Sequence, residues 1–140
     1  LAVAEQGTVF NMAYAKVGNN PDCSGSWSLP RLVGVRRALE IALLSDDLSA
    51  EQALDLGLIN RLADKQEHDV EARKLAERIV ASSPAAMTNI KKLMRQSHDN
   101  NLSQQLNAEA EAFATTAAGE NFSEALEAFF ERRKPVFRGL

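Results

Sequence analysis

Asp22 is the side chain in this sequence best situated to move a proton. It follows Pro21, and the next four residues, Cys23, Ser24, Gly25 and Ser26, are small enough for a tight turn into a helix at Trp27. Two roles fit an aspartate in that setting. As a helix N-cap it would accept hydrogen bonds from the first free backbone amides, the commoner use of Asp at a helix start. As a general acid or base it would need something more, a water-poor pocket that raises its pKa toward the working pH. The local residues leave both roles open.

Two further clusters could bind charge or rings. Arg31, Arg36 and Arg37 follow the turn; they read as a solvated helix face, with Glu40 as a partner, or as a phosphate site. No Gly-rich phosphate loop accompanies them, and Gly18 with Gly25 does not make a nucleotide fingerprint. Near the end of the chain stand Phe129, Phe130, Arg132, Arg133, Lys134 and Phe137. Either the rings dock a last helix whose terminal cations complement its dipole, or the group stacks a purine and neutralises a phosphate.

Several chemistries are disfavoured by composition. Cys23 is the one cysteine, so there is no intramolecular disulfide and no multi-cysteine metal set, which fits a reducing compartment. His68 and His98 are far apart and lack ligand spacing, so no metal is expected. A net charge of -3 with both signs interspersed gives no footprint for nucleic acid. No apolar stretch approaches the roughly 18 to 20 residues of a membrane span. A cytoplasmic protein without membrane or nucleic-acid partners is the expectation.

The elements that must position Asp22 are short at first and helical afterwards. Leu1 to Ala4 and Thr8 to Phe10 read as two strands around a turn at Glu5-Gln6-Gly7, and two strands alone are marginal in water. More strands or a covering helix are therefore expected from the rest of the chain. Helical periodicity runs from Ser26 to Val33 and from Arg36 to Leu44, where Leu39, Leu43 and Leu44 share a face. Ser49 and Gln52 form a capping box, and Gly57 stands where a left-handed stop belongs. Leu58 to Leu62 reads as extended. Helices are expected over Glu67 to Ala81, from Ser83-Pro84 to about His98, over Leu102 to Ala118, and over Phe122 to Arg133 with Asn121 and Glu124 as cap. That makes about six helices behind a small strand-bearing head. Ala108, Ala110, Ala112, Ala114 and Ala117 would let another helix approach closely, within the chain or from a second subunit.

The stretches FNMAYAKVGNNPDCSGSWSLPRLVG, ALLSDDLSAEQALDLGLINRL and EALEAFFERRKPVF together resemble the C-terminal half of a crotonase-superfamily (enoyl-CoA hydratase/isomerase) protein, over essentially the whole chain. The resemblance implies an α+β fragment, mostly α: residues 1–34 as the last ββα turn of a spiral core carrying the catalytic loop, and residues 35–140 as the helical region with C-terminal trimerisation helices. It implies trimers, or trimers paired into hexamers. The substrate would be an acyl-CoA thioester, with no separate cofactor.

The same resemblance bears on the reaction. The family's two oxyanion-hole amides, and the first of the two hydratase glutamates, would precede Leu1; the second glutamate would fall at Tyr14. NPDCSGSW resembles instead the branch with phenylacetyl-CoA epoxide isomerase and enoyl-CoA isomerase-like proteins, where an aspartate at the position of Asp22 moves the proton. Tyr14, Trp27, Phe130 and Lys134 are implied as substrate contacts, the last two toward the adenine or 3′-phosphate. Two departures stand out: Ser24 where the branch has a second glycine, and Asn19-Asn20 where it has an apolar residue. The expectation is an isomerase-like acyl-CoA enzyme whose C-terminal portion, taken alone, is nearly inert. The rivals are a non-catalytic helical self-association module and an enoyl-CoA hydratase.

Overall fold

A computed structural model describes residues 1–139. In chain order, its elements are strands β1 (Val3–Glu5) and β2 (Val9–Phe10), a 3₁₀ turn (Ala15–Val17), helices α1 (Gly25–Val33) and α2 (Val35–Leu44), strand β3 (Leu48–Ser49), helix α3 (Ala50–Asp55), strand β4 (Arg61–Ala63), and helices α4 (His68–Val80), α5 (Pro84–Gln96), α6 (Leu102–Ala117) and α7 (Glu120–Glu131). The fold is α+β and mostly helical. It divides into two compact units, Leu1–Lys74 and the residues from Leu75 onward.

In the first unit both early strands are present, the first shifted to Val3–Glu5 so that Glu5 belongs to the strand rather than to the turn, yet they do not pair with each other. β1 pairs in parallel with β4, Val3 opposite Arg61, and β2 pairs antiparallel with β3, Val9 opposite Ser49. Helix α3 covers both pairs. Ala50 and Ala53 are fully buried and, with Ala4 and Ile59, form the core against which Phe10, Leu58 and Leu62 pack.

Helix α3 ends as cleanly as its sequence requires. The Ser49 hydroxyl accepts from the Gln52 amide at 3.2 Å, and the Gln52 side chain accepts from the Ser49 amide at 2.8 Å. At the other end Gly57 takes a φ of +74°, its amide bonds to the Leu54 carbonyl, and the Leu58 amide bonds to the Ala53 carbonyl. Those two bonds make a Schellman stop.

Helix α2 turns a different face inward from the one its leucines mark. Ala38 and Ile41 are buried, whereas Leu39, Leu43 and Leu44 are exposed. Its end is fixed by Ser45, buried with a φ of +53°, whose carbonyl accepts from Asn11 Nδ2 at 2.9 Å.

In the second unit α5 and α6 pack together, and Asn89 Nδ2 donates to Thr116 Oγ1 at 2.8 Å across them. The alanines of α6 that permit this approach include Ala112, whose carbonyl also accepts from Asn89. A second capping box, Asn101 with Gln104, opens α6. The cap expected at Asn121 and Glu124 is not formed. Helix α7 starts at Glu120 behind an extended Gly119, so Asn121 already lies inside the helix, and its side chain pairs with the Arg138 backbone instead. Glu124 accepts both terminal nitrogens of Arg133, at 2.5 and 3.0 Å, and the Val136 amide at 2.7 Å. The two side chains thus latch the chain after α7 back onto that helix.

Two predictions follow from these contacts. Replacing Ser49 with Ala removes the hydroxyl half of the first capping box and should destabilise the chain by about 1 kcal/mol, read by chemical denaturation. Glu124 is held down at about 2, first by Arg133 and then by the Val136 amide. Because the folded value is depressed, the carboxylate's contribution is complete above its ordinary 4.5 and is lost as pH falls through about 2. The Val136 amide resonance should follow that window, and should lose the transition in Glu124→Gln.

Candidate active site

The loop between β2 and α1 carries Tyr14 and Asp22, and its two ends are anchored. At the start, Asn11 Nδ2 donates to the Ser45 carbonyl and to Asp47 Oδ1, the latter at 2.6 Å, tying the exit of β2 to the end of α2. At the far end, α1 packs on α2. In between, the Val17 and Asn19 amides both donate to the Tyr14 carbonyl, at 3.1 and 3.0 Å, and Gly18 turns the chain with a φ of +71°.

Asp22 does not cap α1. The N-cap position is Ser24, which makes no side-chain cap, and what Asp22 gives the helix start is its carbonyl, which accepts from the Gly25 amide at 2.8 Å. The carboxylate is left free of the helix. It is exposed, and Tyr14 Oη donates to its Oδ1 at 2.5 Å. This contact between residues eight apart is set by the 3₁₀ turn and has no periodic signal in the sequence.

The electrostatics of the pair run against the water-poor pocket that an acid/base role would call for. The Tyr14 hydroxyl, and after it the Cys23 side chain, hold the Asp22 carboxyl below the usual carboxylate range. The same bond pushes the Tyr14 phenol above its ordinary value, because losing its proton would lose the contact and set two negative charges side by side. Asp22 is therefore an ionised, hydrogen-bonded carboxylate at neutral pH, able to accept a proton and, once protonated, to give it up readily.

The remaining expected residues are placed in different ways. Trp27 lies on the first turn of α1, about half exposed, with the Arg31 guanidinium 3.9 Å from its ring centre and Arg31 Nη1 donating to its carbonyl. Arg37 pairs with Glu40, the solvated-surface arrangement. Phe130 and Lys134 belong to the second unit. Phe130 is 79% exposed and meets Phe129 edge to face at 5.7 Å, so these rings do not dock α7. Among the described residues no group of three or more His, Cys, Asp or Glu is arranged to hold a metal ion, and no helix is long and apolar enough to cross a membrane.

A backbone irregularity accompanies the carboxylate. Cys23 and Ser24 both adopt left-handed conformations, with φ of +46° and +68°, immediately after Asp22. That region is costly for any residue with a Cβ.

Residues 1–139 match the family model described as enoyl-CoA hydratase/isomerase. The chain belongs to the enoyl-CoA hydratase/isomerase family. It is 33% identical to the 1,2-epoxyphenylacetyl-CoA isomerase of Escherichia coli K12, over 99% of this chain and 53% of that protein. It is 28% identical to the crotonyl-CoA hydratase of Syntrophomonas wolfei, over 96% of this chain and 52% of that protein. Its fold superimposes on the crystal structure of an enoyl-CoA hydratase from Polaromonas sp. JS666 with a TM-score of 0.92 at 37% identity, covering 97% of this chain and 53% of that one. The chain spans about half the length of the curated relatives it matches.

The left-handed Ser24 yields a direct test. Glycine removes the steric penalty of about 1 to 2 kcal/mol, and gives back part of it through the freer unfolded chain. Ser24→Gly should therefore stabilise the protein by roughly 0.5 kcal/mol. Equilibrium denaturation measures it, against the small loss of the exposed 3.3 Å contact between the Ser24 and Ser28 hydroxyls.

Proposed function

We propose that the chain is the C-terminal portion of an acyl-CoA double-bond isomerase-like member of the family, with Asp22 as its acid/base. The supporting observation is that the Asp22 carboxylate, in a turn whose sequence NPDCSGSW resembles the isomerase branch, is free of helix capping and is held by the Tyr14 phenol and, after it, by the Cys23 side chain. In this reading residues 1–34 carry the catalytic loop and residues 35–140 the helical region. The substrate is an acyl-CoA thioester, no cofactor takes part, and the location is cytoplasmic.

The chemistry is a proton relocation. The ionised Asp22 carboxylate takes a proton from the acyl carbon next to the double bond, the electron pair passes into the thioester carbonyl as an enolate, and the protonated Asp22 returns the proton to another carbon. No atom is gained or lost. The two donors for the enolate oxygen are not assigned to any residue of this chain, and without them the Asp22 residue is expected to be nearly inert. Trp27 contributes an aromatic wall beside the turn, and Phe130 with Lys134 offers a ring and a cation for the coenzyme A adenine or 3′-phosphate. Exposed apolar residues of α6, Leu102, Leu106 and Phe113, support assembly into a homotrimer or a hexamer. A hydratase would use a glutamate at the position where Tyr14 stands.

The test supplies the chain with the family's preceding half and follows double-bond migration in an enoyl-CoA. Asp22→Asn should lower the rate by about 10²- to 10⁴-fold, the usual share of a general acid/base. An unchanged rate would end the assignment of Asp22. Failure of coenzyme A to bind the chain at all, measured by calorimetry, would favour a self-associating helical module.

A further inference from the structure

The Tyr14 phenol is used by nothing else in the fold. Its backbone sits at the start of the 3₁₀ turn, where the carbonyl gathers two amides, so main-chain bonds fix the point from which the partly buried side chain leaves the loop. From there the hydroxyl reaches across the loop to Asp22 Oδ1. A phenol has one hydrogen bond to donate, and here the carboxylate accepts it.

We propose that Tyr14 is a positioning residue for Asp22: its hydroxyl holds Oδ1, fixes the carboxylate rotamer and leaves Oδ2 to exchange the proton with substrate. This rests on the reading of Asp22 as the acid/base. The role differs from that of a substrate contact and from that of a second proton-transfer residue, because the phenolic proton stays on Tyr14 throughout. When Asp22 is charged the bond is charge-assisted; when Asp22 has taken a proton the acceptor is neutral and the bond weakens. Tyr14 therefore favours the ionised carboxylate at the start of the cycle, and favours return of the proton after the enolate forms. It lowers the basicity of Asp22 in exchange for preventing it from remaining protonated.

Tyr14 is the single tyrosine of the chain, so its phenolate absorbance reports on this bond alone. In the unmodified chain the phenolate should appear only above the ordinary value of 10.0, and Asp22→Asn should move the transition down toward it. Reciprocally, the Asp22 carboxyl carbon resonance should titrate at higher pH in Tyr14→Phe than in the unmodified chain, with circular dichroism establishing that both variants are folded. In the turnover assay Tyr14→Phe should shift the acid limb of the pH–rate profile upward with KM unchanged. Two transitions that fail to move would overturn the pairing and leave Asp22 as base untouched; a raised KM on an unshifted profile would make Tyr14 a substrate contact. Full turnover by Asp22→Asn, with both transitions moving as described, would overturn the catalytic reading while leaving the bond itself in place.

Discussion

The close seat of α3 on two very short strand pairs is the constraint on which the first unit depends. Strands of two and three residues cannot persist by their own ladders. They persist because Ala50 and Ala53 have no side chain beyond Cβ, so the helix comes near enough for Ala4 and Ile59 to be buried against it. A larger residue at either alanine would push the helix off and overpack a core that contains few large groups. The capping box and the Schellman stop fix the length of α3, so its buried face cannot slide by a turn.

The loop that carries Tyr14 and Asp22 takes its geometry from that seat. β2 is held by β3, which leads directly into α3, and the residue that follows β2, Asn11, is bonded to both Ser45 and Asp47. The start of the loop is thus pinned to the end of α2, while its other end runs into α1, which packs on α2. With both ends on one scaffold, the left-handed pair at Cys23 and Ser24 can be maintained: the surroundings over-determine a conformation that an isolated peptide would leave.

Local signals in the sequence were reliable where the determinant is itself local. The box at Ser49 and Gln52 and the stop at Gly57 depend on residues three or four apart, and the start of α5 on Pro84 itself; each is found where the sequence places it, although Ser83 makes no side-chain cap. Asn121 shows the limit. It has the composition of a cap, but Gly119 opens α7 two residues earlier, and the side chains at Asn121 and Glu124 turn instead to partners nine to thirty-eight residues away. Leu39, Leu43 and Leu44 mark a genuine face of α2, but periodicity does not say which face is covered, and Ala38 and Ile41 took the inside. At the candidate site the sequence isolates Asp22, whereas the bond from Tyr14 depends on how a 3₁₀ turn folds eight residues back on themselves.

If Asp22 has the proposed acid/base role, that bond selects between two ways of making an aspartate useful for proton transfer. Burial raises a carboxyl's pKa and makes a stronger base, at the cost of leaving it protonated for part of the time at neutral pH. A hydrogen bond from a neutral donor does the opposite: the base is weaker, but always ionised, and its conjugate acid is stronger. For a reaction that must both remove and return a proton, the second arrangement balances the two half-steps, since whatever basicity is lost in removal is recovered as acidity in return. The polar neighbours Asn19 and Asn20 and the exposed turn belong with that choice. Under the acid/base role proposed for Asp22, a donor whose strength follows the charge of its acceptor suits an aspartate that would change charge twice in each cycle.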